Sequence, residues 1–145
     1  MNPPFEILEH TADVGLRAFG KTLAELFANA ARGMIALALE TERGVPSQEA
    51  VQPEQTRLLS ANGEDREELL VHFLSEILYA VDAEGWQFRE FGIELIGSNA
   101  IEAKGRGTQE ELSENNRVAV KAVTYHQVSI TQTAGGWEAV VYFDI

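Results

Sequence analysis

Asp13-Val14-Gly15-Leu16-Arg17-Ala18-Phe19-Gly20-Lys21-Thr22-Leu23-Ala24-Glu25 is the stretch in which the chain changes period. Val14, Leu16 and Ala18 alternate with Gly15, Arg17 and Phe19, the two-residue period of a strand with one buried face. Gly20 stops it. Thr22-Leu23-Ala24-Glu25 then forms a capping-box pattern, in which the threonine hydroxyl accepts from the amide three residues on and Glu25 reaches back. Leu23, Leu26, Phe27, Ala30, Met34 and Leu37 follow at helical spacing. They predict a first amphipathic helix from Thr22 to about Leu39, weakened but not broken by Gly33.

Upstream, Phe5, Ile7 and Leu8 read as a strand, joined to the first stretch by the turn His10-Thr11-Ala12-Asp13. Downstream, Thr41 to Pro53 is polar, contains Gly44, Pro46 and Pro53, and reads as loop. Gln55 to Ser60 reads as a strand and Asn62-Gly63 as a turn. The second helix starts in the carboxylates of Glu64 to Glu68, which suit the positive end of the helix dipole. Leu69, Leu70, Phe73, Leu74, Ile77, Leu78 and Val81 form its apolar stripe, and Gly85 fits its stop. From Trp86 the period returns to two. Phe91 to Ile96 and Ala100 to Lys104 alternate. Gly105 to Arg117 is polar and glycine-containing and reads as a mobile loop. Val118 to His126 and Val128 to Thr131 read as strands. Ala134-Gly135-Gly136 is a hairpin turn, and Trp137 to Phe143 returns. Strands, two helices and an antiparallel meander imply an α+β fold. The expectation is a compact single-domain sandwich, mainly antiparallel sheet, with two amphipathic helices packed on one sheet face.

The 145 residues suit one domain, and a hydrophobic fraction of 45% is enough for a core. No apolar run reaches the roughly 18 residues needed to cross a bilayer. Met1 to His10 lacks a basic region, so no signal peptide is expected and the default location is cytoplasmic. Zero cysteines exclude disulfides, thiolate metal sites and cysteine nucleophiles. The net charge of −12 comes from 23 acidic against 11 basic residues. Such a field repels a phosphate backbone, so strong direct binding of nucleic acid is not expected. A role in RNA metabolism would run through a protein partner or a bound cation.

The residues with chemistry sit at the chain ends. If the first and last strands lie side by side, Asp13, Asp144 and the carboxylate or carbonyl of Ile145 converge. Converging carboxylates repel unless protons or a cation neutralise them. Oxygen donors alone suit calcium or magnesium rather than zinc. The bland alternative for His10 to Asp13 is a polar turn in which Asp13 caps its own backbone. Lys121 lies in Val120-Lys121-Ala122-Val123-Thr124-Tyr125-His126, where it reads either as an edge-strand lysine that blocks aggregation or as a cation aimed at the carboxylates or an acidic partner. His126 reads as a core or turn histidine, and His72 as a helix-surface residue with no site role. Glu110, Glu111 and Glu114 form a weak acidic patch in the expected loop. There is no phosphate-cradling glycine motif, no nucleophile elbow and no HExxH, and no acid/base dyad can be placed. A stand-alone enzyme is therefore not expected, although a small metal-dependent hydrolase is a rival reading.

Three segments resemble the archease family. Glu9-His10-Thr11-Ala12-Asp13-Val14-Gly15-Leu16-Arg17-Ala18-Phe19-Gly20-Lys21-Thr22-Leu23 looks like its opening signature. Val120 to His126 looks like its second, and Gly136-Trp137-Glu138-Ala139 through Phe143-Asp144-Ile145 like its third. They span residues 1–145 in order, as one archease-like domain. The resemblance implies a non-catalytic accessory protein of the RtcB-type tRNA-splicing ligase. Such a protein promotes GTP-dependent ligase guanylylation and multiple turnover and broadens nucleotide use. It also implies a bound divalent cation, calcium before magnesium, held by Asp13, Asp144 and a main-chain oxygen of Ile145. His10 and Lys121 become neighbours of that site, with Lys121 facing the ligase or its nucleotide. Many members of the family carry a His-Glu pair and a further glutamate shortly before the second signature. Here that stretch is Glu114-Asn115-Asn116-Arg117-Val118-Ala119. The alternative function is a chaperone or modulator of other RNA-processing enzymes, such as a tRNA methyltransferase.

Overall fold

A computed structural model describes residues 3–9, 13–39, 53–110 and 119–145. These form strands β1 (Phe5–Glu9), β2 (Asp13–Gly20), β3 (Gln55–Asn62), β4 (Trp86–Ile96), β5 (Ala100–Gln109), β6 (Ala122–Val123), β7 (Ser129–Thr133) and β8 (Gly136–Asp144), with helices α1 (Leu23–Leu39) and α2 (Arg66–Glu84). The fold is α+β, and every strand pairing is antiparallel.

The strands make two sheets. One is five-stranded in the order β1-β2-β8-β6, with β7 also paired to β8, and the other is three-stranded in the order β3-β5-β4. The expectation of helices on one sheet face is refined here. Helix α1 touches β1, β2 and β8 of the first sheet and β4 of the second, while α2 touches β3, β4 and β5 of the second and β6 and β7 of the first. The helices therefore lie between the sheets and bury more than one stripe. In α1, Ala28 and Ala31 are buried alongside Leu26, Phe27, Ala30 and Met34.

Local signals set the helix ends. The Glu25 amide donates to Thr22 Oγ1 at 3.1 Å, so the capping threonine acts as the sequence indicates. In α2 the N-cap is Asp65, which accepts from the Glu68 amide at 2.8 Å. Gly85 ends α2 in the left-handed region, at φ 80°, where L side chains are strained.

Two expectations are corrected. Residues 105–109 are not loop: they belong to β5, paired to both β3 and β4. The expected strand Val118 to His126 is only Ala122–Val123, followed by a tight turn. The expected loop at 41–52, the remainder of the expected loop at 111–117, and Val118 lie outside the described residues.

Candidate functional site

The site is built on the central strand pair of the larger sheet. Val14, Leu16 and Ala18 of β2 and Ala139, Val141 and Phe143 of β8 all point into the core. Strand alternation then sends Asp13, Gly15 and Arg17, with Glu138, Val140, Tyr142 and Asp144, to the outer face. The ladder pairs Asp13 with Asp144, Gly15 with Tyr142 and Arg17 with Val140. Directly opposed residues on one face have Cβ atoms about 4.5–5.5 Å apart, so the two carboxylates are neighbours. Asp13 is half-buried and Asp144 exposed.

On its other edge β8 carries β6. Ala122 is in register with Asp144, and the Lys121 amide donates to the Asp144 carbonyl oxygen at 2.8 Å. Lys121 is exposed and stands one position from the paired residue, so strand alternation sends its side chain away from the face that carries the carboxylates. Thr124 then anchors the strand's exit: its amide and its hydroxyl both donate to the Tyr142 carbonyl oxygen at 3.0 Å.

Gly15 gives this surface its shape. A Cβ there would stand 2.7 Å from Tyr142 Cε1 and 3.0 Å from Leu8 Cβ, so the Tyr142 ring lies across the glycine. The His126 ring meets Tyr142 edge-on, with centroids 6.1 Å apart. Arg17 pairs with Glu138 at 3.0 Å and Glu6 at 3.6 Å on the same face.

Among the described residues no three His, Cys, Asp or Glu side chains gather into a metal-binding group. At this end stand the Asp13 and Asp144 carboxylates, with Ile145 next in the sequence. His10 lies outside the described residues, as does most of the stretch Glu114 to Ala119. Sequence reasoning missed the bond between His72 and Tyr125, which are 53 residues apart: His72 Nε2 and the Tyr125 hydroxyl are 2.6 Å apart. No local pattern signals a contact of that span.

The fold has counterparts among known proteins over nearly the whole chain. Residues 5–145 match the model of the Archease protein family (MTH1598/TM1083). This chain belongs to the archease family. It is 38% identical over 146 residues to the archease of Methanosarcina barkeri, covering 97% of this chain and 95% of that one. It is 38% identical over 144 residues to an archease of Saccharolobus islandicus, covering 97% and 98%. The solution structure of Methanobacterium thermoautotrophicum protein 1598 superposes with a TM-score of 0.67 at 29% identity, over 98% of this chain and 99% of that one. An archease from Thermotoga maritima, described as a "possible chaperone", shares the fold at TM-score 0.59 and 21% identity. No helix among the described residues of this archease is long and apolar enough to cross a membrane.

Proposed function

We propose that this archease is a non-catalytic accessory protein of an RtcB-type RNA ligase, promoting GTP-dependent guanylylation of the ligase and multiple turnover in tRNA splicing or RNA repair. The observation that supports it is the register of Asp13 against Asp144, with Lys121 tied to the Asp144 main chain, in a member of this family. Asp13, Asp144 and the main-chain oxygen of Ile145 are hard donors that fit calcium or magnesium. They are fewer than such cations take, so water or partner oxygens would complete the shell. When bound, the cation supplies positive charge that neutralises the carboxylates and attracts phosphate oxygens.

The chain's own groups position rather than react. Lys121, exposed beside the Asp144 main chain, offers an ammonium to acidic or phosphate groups of the docked ligase. His10 stands three residues before Asp13 in the sequence, and its role beside that end rests on the family resemblance. Phosphoryl-type transfer responds strongly to positioning and charge, so a helper that touches no reacting atom still accelerates it. The net charge of −12 agrees with a helper that meets the ligase rather than the RNA.

The test is RNA joining by the cognate ligase under multiple-turnover conditions, with and without this protein, while the soluble ligase is assayed in parallel. More joining events per ligase at constant soluble ligase support the proposal. A rise that only tracks ligase solubility moves the function to chaperoning, the reading that the description of the Thermotoga relative favours.

A further inference from the structure

We infer that the turn Thr124–Val128, clasped to α2 by the His72–Tyr125 hydrogen bond, is a preformed docking element for a protein surface of the ligase. This rests on the function proposed above. The clasp has a definite chemistry. His72 Nδ1 lies 2.6 Å from the Asn62 carbonyl oxygen, which can only accept, so Nδ1 carries the hydrogen. In the neutral imidazole Nε2 then presents a lone pair, to which the Tyr125 hydroxyl donates across 2.6 Å. The two rings stand edge-on, with centroids 6.0 Å apart and planes at 84°. His72 is fixed in turn by α2, where Val71, Phe73 and Leu74 are buried beside it.

The clasp does not serve burial. Tyr125 is 56% exposed, so more than half of the residue faces water while its hydroxyl is held. A side chain ordered this way has already given up the rotamer freedom that an interface anchor otherwise loses on binding. The turn is held from within as well. The Val128 amide donates to the Tyr125 carbonyl oxygen and the His126 amide to Thr124 Oγ1, both at 3.3 Å. Gln127, at φ 54°, is the single non-glycine residue with positive φ among the described residues. Such a conformation costs free energy and persists where its surroundings impose it, commonly at binding or catalytic sites. Tyr125, His126 and Gln127 are exposed at the tip.

Position links the turn to the carboxylate end. Thr124 is bonded to Tyr142, two residues before Asp144, and His126 rests on the same Tyr142 ring. A partner seated on the turn therefore reaches the Asp13–Asp144 end. The occupant is protein rather than RNA. The tip carries an exposed tyrosine, a residue type enriched among interface anchors, on a chain whose net charge of −12 repels phosphate.

The experiment titrates the protein into the ligase guanylylation reaction and separates the half-saturating concentration from the saturated rate. Tyr125→Phe keeps the exposed ring and removes the hydroxyl, and His72→Phe keeps a ring and removes the acceptor. Each is expected to raise the half-saturating concentration about fivefold, the scale of one lost preorganising contact, with the saturated rate within about twofold of wild type. The double variant is expected to be no worse than either single one, because both break the same bond. If His72→Phe fails to fold, Tyr125→Phe decides alone. An unchanged half-saturating concentration for Tyr125→Phe overturns the docking role and leaves the proposed function standing. A fall in saturated rate at unchanged half-saturation overturns it too, as does RNA that competes for the turn. No stimulation by the wild type overturns both readings.

Discussion

Asp13 and Asp144 stand opposite each other in the β2–β8 ladder, and the Lys121 amide meets the Asp144 carbonyl oxygen at 2.8 Å from the other edge. Backbone pairing thus holds the Cβ atoms of the two aspartates side by side, and only a break in strand register would separate them.

This opposition makes stability depend on cations. In chelator, like charges directly across a ladder destabilise, so Asp144→Asn should raise stability by up to about 1 kcal/mol. With calcium at about 100 times its dissociation constant, the wild type should gain about 2.7 kcal/mol and the variant less. Thermal midpoints with and without calcium check both halves. A wild-type midpoint that ignores calcium and magnesium would remove the cation from the proposal.

Gly15→Ala tests the packing under the site. The added Cβ meets Tyr142 Cε1 at 2.7 Å, and the ring must move. Overpacking of this kind costs about 1–3 kcal/mol. The expected result is a lower urea midpoint together with weaker cation binding, because Tyr142 and Asp144 share β8. Normal stability would mean that the ring swings away freely.

Arg57 ties β3 to α2. Its side chain is 18% exposed; Nε and Nη2 bond both Glu84 carboxylate oxygens at 3.1 and 2.9 Å, and Nη1 bonds Glu76 at 2.8 Å. The hydrogen bonds from Arg57 hold the Glu84 carboxyl below its usual range, and its nearby charge adds to this. A carboxyl lowered on folding stabilises above its unfolded value, about 4.3, and that stability is lost as pH falls through the lower folded value. Arg57→Met should cost about 1–2 kcal/mol at pH 7, less than a fully buried pair because the glutamates are partly solvated. The gap to wild type should narrow below about pH 4. Urea unfolding at pH 7 and pH 3.5 checks it, and a gap independent of pH would assign the loss to packing alone.

Much of this fold was legible because its signals are local. The Thr22 box, the apolar stripe of α2 and Gly85 each act within a few residues, and the helices lie where periodicity puts them. What was misread depends on distant partners. Gly105 and Gly107 look like loop residues, but they face inward in β5. A Cβ at Gly105 would meet the Phe88 ring at 2.5 Å, so an aromatic of β4 fills the space that the glycine leaves. The split into two sheets was hidden for the same reason, since strand composition does not say which strand a segment joins. At the site, the strand-like ends containing Asp13 and Asp144 could be seen in sequence, and the ladder sets them opposite each other. The His72–Tyr125 clasp could not, because it joins a helix to a turn across 53 residues.

The most direct measurement is GMP transfer from GTP to the cognate ligase, with the ligase in excess over this protein, comparing wild type, Asp144→Ala and no addition. Faster transfer with the wild type and a return to the unaided rate with Asp144→Ala is the expected result. Equal stimulation by the wild type and Asp144→Ala would contradict a function centred on the Asp13–Asp144 end, and no stimulation by the wild type would contradict the accessory role itself.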